Sequence, residues 1–434
     1  PTKHDPREAT VSTVAVWVYT DDALQYGPRD WRTTFMKTLT KRFQVQDAGP
    51  AKDILNIRIE QSLARPNSEQ PGLTSKSRRQ NRGEKATTVR LSQRVYAEKM
   101  LKDCKNTVFV DPESVPRRKT PIDARIFKKL DCRLPRKVMN AEAKARGEPE
   151  PYPADQHQSP HGYVSRTGGD DDLQQEETRQ SFLDNGFECE ELVVNDESHD
   201  PTRWSLERMQ SHFEYGRLVA QIGWLARNTR PDICVAHSVL ARHMVGTPLL
   251  AYQGLVQCLR YVASTLEFGL TYDSSKGGKP IFYFDADHVR GRPRCGYVVM
   301  LGGCAIDWQS CLSTTVAMAT AEAELYSAII GQKRALIIRK DLEALRIISE
   351  DEPIDAREDN SATFLNLSRR VTDYSRMKHI ENGFLKCLEW QCRDRVAWSL
   401  EPTTTMYADF FTKVQPVALY QAHRAHVMNL PVRQ

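Results

Sequence analysis

No stretch of this 434-residue chain approaches the roughly 18 consecutive apolar residues of a membrane-spanning helix, so no membrane span is expected. The N-terminus, Pro1-Thr2-Lys3-His4-Asp5, lacks the basic-then-apolar pattern of a secretory signal. It also lacks an initiator Met, so the chain reads as a processed product or a fragment. None of the ten cysteines forms a Cys-x-x-Cys pair. The closest spacings, Cys387/Cys392 and Cys304/Cys311, do not build a zinc framework, which leaves reduced thiols in a cytoplasmic or nuclear compartment. Neither sign of charge dominates: 61 Lys+Arg against 56 Asp+Glu give +5, too little to mark a nucleic-acid binder by itself. No internal repeat is found.

What is present is polar for this length. Hydrophobic residues make up 40% and charged residues 27%, with a mean hydropathy of −0.56. At roughly 100–200 residues per domain, two to four compact units joined by solvated segments are expected. The first ordered zone opens with a strand at Val14–Tyr19, the turn Thr20-Asp21-Asp22 and a return strand at Ala23–Tyr26. Pro28 fits the start of a helix whose apolar stripe is Trp31, Phe35, Leu39 and Phe43. Leu55, Ile57 and Ile59 alternate as a half-buried strand would. Residues 65–85 are polar and basic. An island follows, with Val89–Gln93 extended and Val95, Tyr96, Met100 and Leu101 at helical spacing. Residues 140–180 are rich in Gly, Pro, Gln and acids, including Asp170-Asp171-Asp172, and read as a solvated insertion.

From Trp204 onward the pattern tightens. Helices are expected at Tyr215–Arg227, Ile233–Met244 and Tyr252–Ser264, the first stopped by Asn228-Thr229-Arg230-Pro231. Strands follow at Ile281–Ala286, Gly296–Leu301 and Ala305–Trp308. A long helix is expected at about Thr320–Leu345, then a strand at Asp355–Glu358 and helices at Asn360–Leu367 and Ile380–Arg393. The chain closes with a strand at Val396–Leu400 and a last helix at about Met406–Val414. The order β-β-β-α-β-α-α-β-α is an α/β layer arrangement.

The chemistry lies in where this last unit places its acids. Asp285 interrupts an apolar strand, Glu324 lies one turn into the long helix, Asp359 ends a strand, and Asp409 opens the last helix. Singly, each has a plainer reading. Asp359 suits a helix cap, Asp409 suits a helix-dipole partner, and Glu322 competes with Glu324 as surface charge. Asp285 is the hardest to explain as structure, because an unpaired buried carboxylate is costly. If the carrying elements meet at one sheet edge, four carboxylates converge, and hard divalent cations are their natural compensation. Two ions about 4 Å apart suit an in-line phosphoryl displacement.

The same residues fall in strings that resemble one family. Asn228-Thr229-Arg230-Pro231-Asp232-Ile233, Phe284-Asp285-Ala286-Asp287, Ala321-Glu322-Ala323-Glu324, Asp359-Asn360-Ser361-Ala362, Lys378-His379-Ile380 and Ala408-Asp409-Phe410-Phe411-Thr412-Lys413 resemble the C-terminal part of copia-type LTR-retrotransposon Pol polyproteins. Tyr19-Thr20-Asp21-Asp22 resembles the Tyr-x-Asp-Asp turn of a reverse transcriptase palm, and Leu91-Ser92-Gln93 and Thr120-Pro121-Ile122-Asp123 continue the likeness. The resemblance implies an α/β fold, with a ribonuclease H-like mixed sheet flanked by helices. A truncated reverse transcriptase palm and a helical connection carrying a disordered insertion would precede it. The implied units are a palm and thumb remnant (1–123), an acidic insertion (124–203), a connection (204–275) and a ribonuclease H-like domain (276–434).

The resemblance further implies that Asp285, Glu324, Asp359 and Asp409 are a catalytic, metal-binding tetrad taking two Mg²⁺ or Mn²⁺ ions. Asp21 and Asp22 would be palm metal ligands. The expected activity is cleavage of the RNA strand of RNA–DNA hybrids. The expected partners are that nucleic acid and the missing reverse transcriptase part or other Pol components, with no membrane. The basic run Arg369, Arg370, Arg376, Lys378 and His379 is a candidate contact to hybrid phosphates, or else a solvated face. There are departures from the pattern. Only Asp5 precedes the Asp21-Asp22 turn where a palm needs a further metal-binding Asp, so this chain alone is not expected to polymerise. His288 and Ala321 replace the usual Trp and Thr, and the connection to Gly296 is short. A catalytically inactive nucleic-acid-binding relic is the alternative, and an interaction scaffold built on the acidic insertion has least support.

Overall fold

The computed structural model describes residues 15–19, 22–26, 29–41, 51–63, 87–104, 118–131, 203–245, 247–288, 291–368, 381–393 and 395–431. Strands β1 (Ala15–Tyr19) and β2 (Asp22–Tyr26) pair antiparallel, with Tyr19 opposite Asp22, as the hairpin reading expects. Helix α1 (Arg29–Thr40) stacks Trp31 on Phe35 at 4.9 Å, an i, i+4 pair on its apolar stripe. Phe43 lies outside the described residues. Leu55 is not a strand residue: with Asn56 it takes a positive φ (51° and 61°), forming the tight turn between β3 (Asp53–Ile54) and β4 (Ile57–Leu63). A two-residue turn with both φ positive matches the right-handed twist of its strands, which overrides the alternation read from sequence.

Strand β5 (Thr87–Ser92) leads into α2 (Arg94–Asp103). The segment expected to begin an irregular insertion at 124 opens instead with helix α3 (Ala124–Leu130). Its N-terminus is capped by the Asp123 carboxylate, which accepts from the Arg125 amide at 2.8 Å. The acidic tract with Asp170–Asp172 lies outside the described residues.

The connection contributes α4 (Leu206–His212), α5 (Tyr215–Asn228), α6 (Cys234–Leu240) and α7 (Leu249–Ser264). Trp204 packs in the core against Phe213 and beneath the Arg208 guanidinium, a structural place for this aromatic. The string Asn228–Ile233 stops α5 and folds into a buried pair. Arg230 bonds both carboxylate oxygens of Asp232 at 2.8 Å, and the Tyr261 hydroxyl donates to Asp232 at 2.8 Å.

Strand β6 (Gly269–Asp273) returns to pair with β5, giving a four-stranded sheet in the order β3-β4-β5-β6. The second sheet follows. β7 (Ile281–Asp287), β8 (Arg294–Leu301) and β9 (Cys304–Leu312) form an antiparallel meander. Helix α8 (Thr320–Ala344) then crosses over to β10 (Ile354–Glu358), which runs parallel to β7. Helices α9 (Ser361–Ser368) and α10 (Glu381–Cys392) lead to β11 (Val396–Leu400), parallel to β10. The sheet order is β11-β10-β7-β8-β9. Each parallel step needs a helical crossover, which is why helices appear only after the meander. The last expected helix, at about Met406–Val414, is instead a 3₁₀ turn at Tyr407–Phe411, and a further helix that the sequence reading does not expect, α11 (Val417–Val427), follows Pro416.

The sheet buries both faces. Phe282 and Phe284 pack under α8 with Leu325, Ala328 and Ala335. Tyr283, Val298 and Met300 join a core continuous with α2, α3, α5, α7 and the 407–411 turn. Helix α8 approaches β7 closely at Gly331, where a Cβ would stand 2.1 Å from the Phe284 ring. Gly331→Ala is therefore expected to destabilise by about 1–3 kcal/mol through overpacking, although Ala is the better helix former by about 1 kcal/mol. A denaturant melt in which this variant is more stable than wild type would refute the close-approach argument.

Candidate functional site

The site forms at the carboxyl ends of β7 and β10, the usual place for a site on an open α/β sheet. β7 is the central strand, and its alternation puts Asp285 on the Tyr283 side, opposite Phe282 and Phe284. The parallel register pairs Arg357 with Tyr283, so two residues further on Asp359 draws level with Asp285. Glu324 reaches the strand end from the first turns of α8, where its Oε2 accepts the Ala286 amide at 2.7 Å. Carboxylate oxygens of Asp285, Glu324 and Asp359 lie within 4.8 Å of one another.

Asp409 arrives on the 3₁₀ turn, which seats directly on β8 at Gly296. A Cβ there would stand 2.7 Å from Thr412 and 2.9 Å from Phe411, so only glycine lets the turn lie this close. The Thr412 hydroxyl donates to Asp285 Oδ2, and Lys413 Nζ reaches Asp409 Oδ1 at 2.7 Å. The turn is held from behind by α11: Tyr420 packs on Phe410 and donates to the Asp232 carbonyl at 2.7 Å, and His423 bridges Gln415 and the Thr404 carbonyl. His288 Nε2 lies 3.0 Å from the Ala317 carbonyl, joining the end of β7 to the loop before α8. Glu322 points away from the cluster. It accepts from the Met318 amide and the Tyr326 hydroxyl, a local cap for the helix start.

One acid escaped the sequence reading. Glu358 is fully buried; its Oε1 accepts the Asn360 amide at 3.1 Å, and among the described residues no ion pair reaches its carboxylate. A signal was present: Ile354, Ala356 and Glu358 share the buried face of β10, so a Glu occupies a slot that the alternation reserves for an apolar residue.

The electrostatics follow from this crowding. Burial, then the Asp409 charge, pushes the Asp285 carboxyl up to about 8, against the opposing pull of Lys413 and Thr412. Burial, then Asp285 and Glu358, raises Glu324 well above its usual range, and burial also raises Glu358. Burial and Asp409 raise Asp359. Burial lowers the Lys413 ammonium, but Asp285 and Asp409 outweigh it and the net direction is up.

A carboxyl raised in the fold binds a proton that the unfolded chain has released, so its stabilising contribution is full below about pH 4 and lost as pH rises through about 8. The buried His237, lowered to about 4 by burial, works the opposite way but is spent above about pH 6.5. In chelator, stability is therefore expected to fall by about 2 kcal/mol between pH 6.5 and 8, from Asp285 at about 1.4 kcal/mol per pH unit of proton uptake. Denaturant melts of wild type and Asp285→Asn across that window check this; parallel slopes would refute it.

The other residues singled out from sequence fare differently. Arg369, Arg370, Arg376, Lys378 and His379 lie outside the described residues, as does Asp21. Asp22 is described only as the first residue of β2. Among the described residues, no helix is long and apolar enough to cross a membrane.

The fold is a mixed α/β sheet with an acidic cluster at the carboxyl ends of its strands. No protein-family model matches the chain. It is 27% identical over 208 residues to the retrovirus-related Pol polyprotein from transposon TNT 1-94 of Nicotiana tabacum, covering 46% of this chain and 15% of that one. It is 28% identical over 218 residues to the corresponding polyprotein from transposon RE1 of Arabidopsis thaliana, again covering 46% and 15%. The secreted RxLR effector protein 161 of Plasmopara viticola is 32% identical over 114 residues, 25% of this chain and 80% of that one. Several of the relatives are thus retrovirus-related Pol polyproteins from transposons, in agreement with the resemblance of the motifs. It spans about 15% of the length of those polyproteins. A solved structure, LC11-RNase H1 in complex with RNA/DNA hybrid, is similar over 31% of this chain and 94% of that one, at 15% identity and a TM-score of 0.25.

Proposed function

We propose that this chain carries a ribonuclease H-like nuclease of a retrotransposon-derived Pol polyprotein, cutting the RNA strand of RNA–DNA hybrids with the help of divalent cations. The observation that carries the reading is the meeting of Asp285, Glu324 and Asp359, with oxygens within 4.8 Å, beside Asp409 at one sheet edge. The donor set is all oxygen, which suits Mg²⁺ or Mn²⁺ rather than a soft metal. The buried Glu358 and the upward pressure on the Asp285, Glu324 and Asp359 carboxyls support reading this as a site short of positive charge. Asp285, Glu324, Asp359 and Asp409 would hold the cations. Bound there, the cations supply Lewis-acid polarisation of a phosphate and a water acidic enough to attack at neutral pH.

The chain's own residues fix the geometry. The Ala286 amide holds Glu324, the Thr412 hydroxyl holds Asp285, and Lys413 holds Asp409, so the carboxylates are set before substrate arrives. Recognition of a hybrid rests on backbone shape and 2′-hydroxyls, so little sequence preference is expected. The test is a labelled RNA–DNA hybrid incubated with the full chain, in Mg²⁺ and in chelator, beside Asp285→Asn. Mg²⁺-dependent cuts confined to the RNA strand support the proposal. Cleavage no greater than in the variant overturns it and favours a catalytically inactive, nucleic-acid-binding relic.

A further inference from the structure

Glu358 stands out among the buried groups of the described residues. Two other buried charges show the contrast, each with a matched partner: Arg230 has Asp232, and Arg294 has Asp131. Glu358 is met only by backbone, the Asn360 amide on Oε1 and a contribution from Asp359, and among the described residues no ion pair reaches its carboxylate. Its neighbours are acids, Asp285 on the adjacent strand, Asp359 next in chain, and Glu324 across the crevice. Lys413, the cation on the far side of the cluster, is engaged with Asp409. A buried carboxylate without an ion-pair partner costs the fold free energy unless positive charge is supplied.

We propose that Glu358 is a positioning residue for the divalent-cation site, a fifth carboxylate whose charge tightens cation binding and makes the stability of this fold depend on that binding. This rests on the cation-site reading above. Its carboxylate repels those of Asp285 and Glu324, so it acts through them: it adds negative potential where the cation would sit, and it penalises the cation-free fold. Removing a charge of this kind, one layer out from the ligands, typically weakens metal binding by 10–100-fold.

The experiment compares wild type, Glu358→Gln and Glu358→Met as full chains. Isothermal calorimetry with Mn²⁺ and with Mg²⁺ measures affinity, and thermal melts in chelator and in saturating Mg²⁺ measure stability. The expected result is cation binding weakened at least about tenfold in both variants. The chelator Tm should rise by about 2–4 °C and the Tm gain on adding Mg²⁺ should shrink. Glu358→Met controls for any new hydrogen bond made by the Gln amide. Unchanged affinity overturns the proposal. So does a chelator Tm lowered in both variants, which would make Glu358 a residue the cation-free fold needs. If wild type itself shows no heat of cation binding and no Mg²⁺-dependent Tm gain, the cation-site reading fails instead, a distinct result.

Discussion

Asp131→Asn will lower stability by about 3–5 kcal/mol, a loss visible as a large shift of the denaturant midpoint. Asp131 closes helix α3, and Arg294 begins β8, 163 residues further along the chain. Both side chains are almost wholly buried, at 3% and 0% exposure. Arg294 donates to both carboxylate oxygens of Asp131 and to Ser238 Oγ at 2.7 Å, and it lies over the Phe127 ring. Arg242 adds a second cation at 3.4 Å from Asp131. The Asn variant keeps the shape and removes the counter-charge, leaving a guanidinium buried without an anion. That penalty, not the net worth of the pair, sets the magnitude. Adding Arg294→Met should recover much of the loss, because the double variant buries no charge. A single variant within 1 kcal/mol of wild type, or a double variant no better than the single, would refute the argument. The same contact bears on dissection of the chain: a fragment starting at 276 retains Arg294 without Asp131 and should fold poorly, even though it holds all the candidate ligands.

Asp285→Asn is expected to lower Mg²⁺-dependent hybrid cleavage by at least about 10³-fold, near 4 kcal/mol of transition-state stabilisation. Asp285 interacts with the other members of the site: Thr412 bonds it, its oxygens lie within 4.8 Å of those of Glu324 and Asp359, and the Asp409 charge acts on it. The Thr412 hydroxyl can still donate to the Asn oxygen, so the local fold should survive. Above about pH 8, where Asp285 is ionised, the variant also loses a buried charge that its neighbours repel, so its Tm in chelator should rise there while activity falls. Opposite signs for activity and stability are the mark of a functional cluster that strains its own fold. Activity retained within tenfold, or a Tm in chelator well below wild type above about pH 8, would show Asp285 to be structural.

Much of this was legible in the sequence, and particular residues show why. The strand at 281–287, the long helix at 320–344 and the parallel strands at 354–358 and 396–400 follow from apolar period and flanking turns, which are local properties. Asp285 was legible because a charge inside an apolar strand contradicts its surroundings. Leu55 was misplaced because its identity fits a strand and only its positive φ shows a turn. Glu358 was passed over because it adjoins Asp359, the more conspicuous strand-end acid, and its burial depends on what packs over β10.

The sequence by itself determined the element order of the sheet unit and the identity of the acids, because hydrophobic period and residue chemistry are written along the chain. Only the tertiary structure decided that Asp285, Glu324 and Asp359 meet, that Asp409 comes in on a turn seated at Gly296, and that Glu358 is trapped beside them. It alone joined β5 to β6 and Asp131 to Arg294 across more than 150 residues. Parallel register, close approach at a glycine and the burial of a charge are all set by partners distant in sequence, and no local pattern encodes a distant partner.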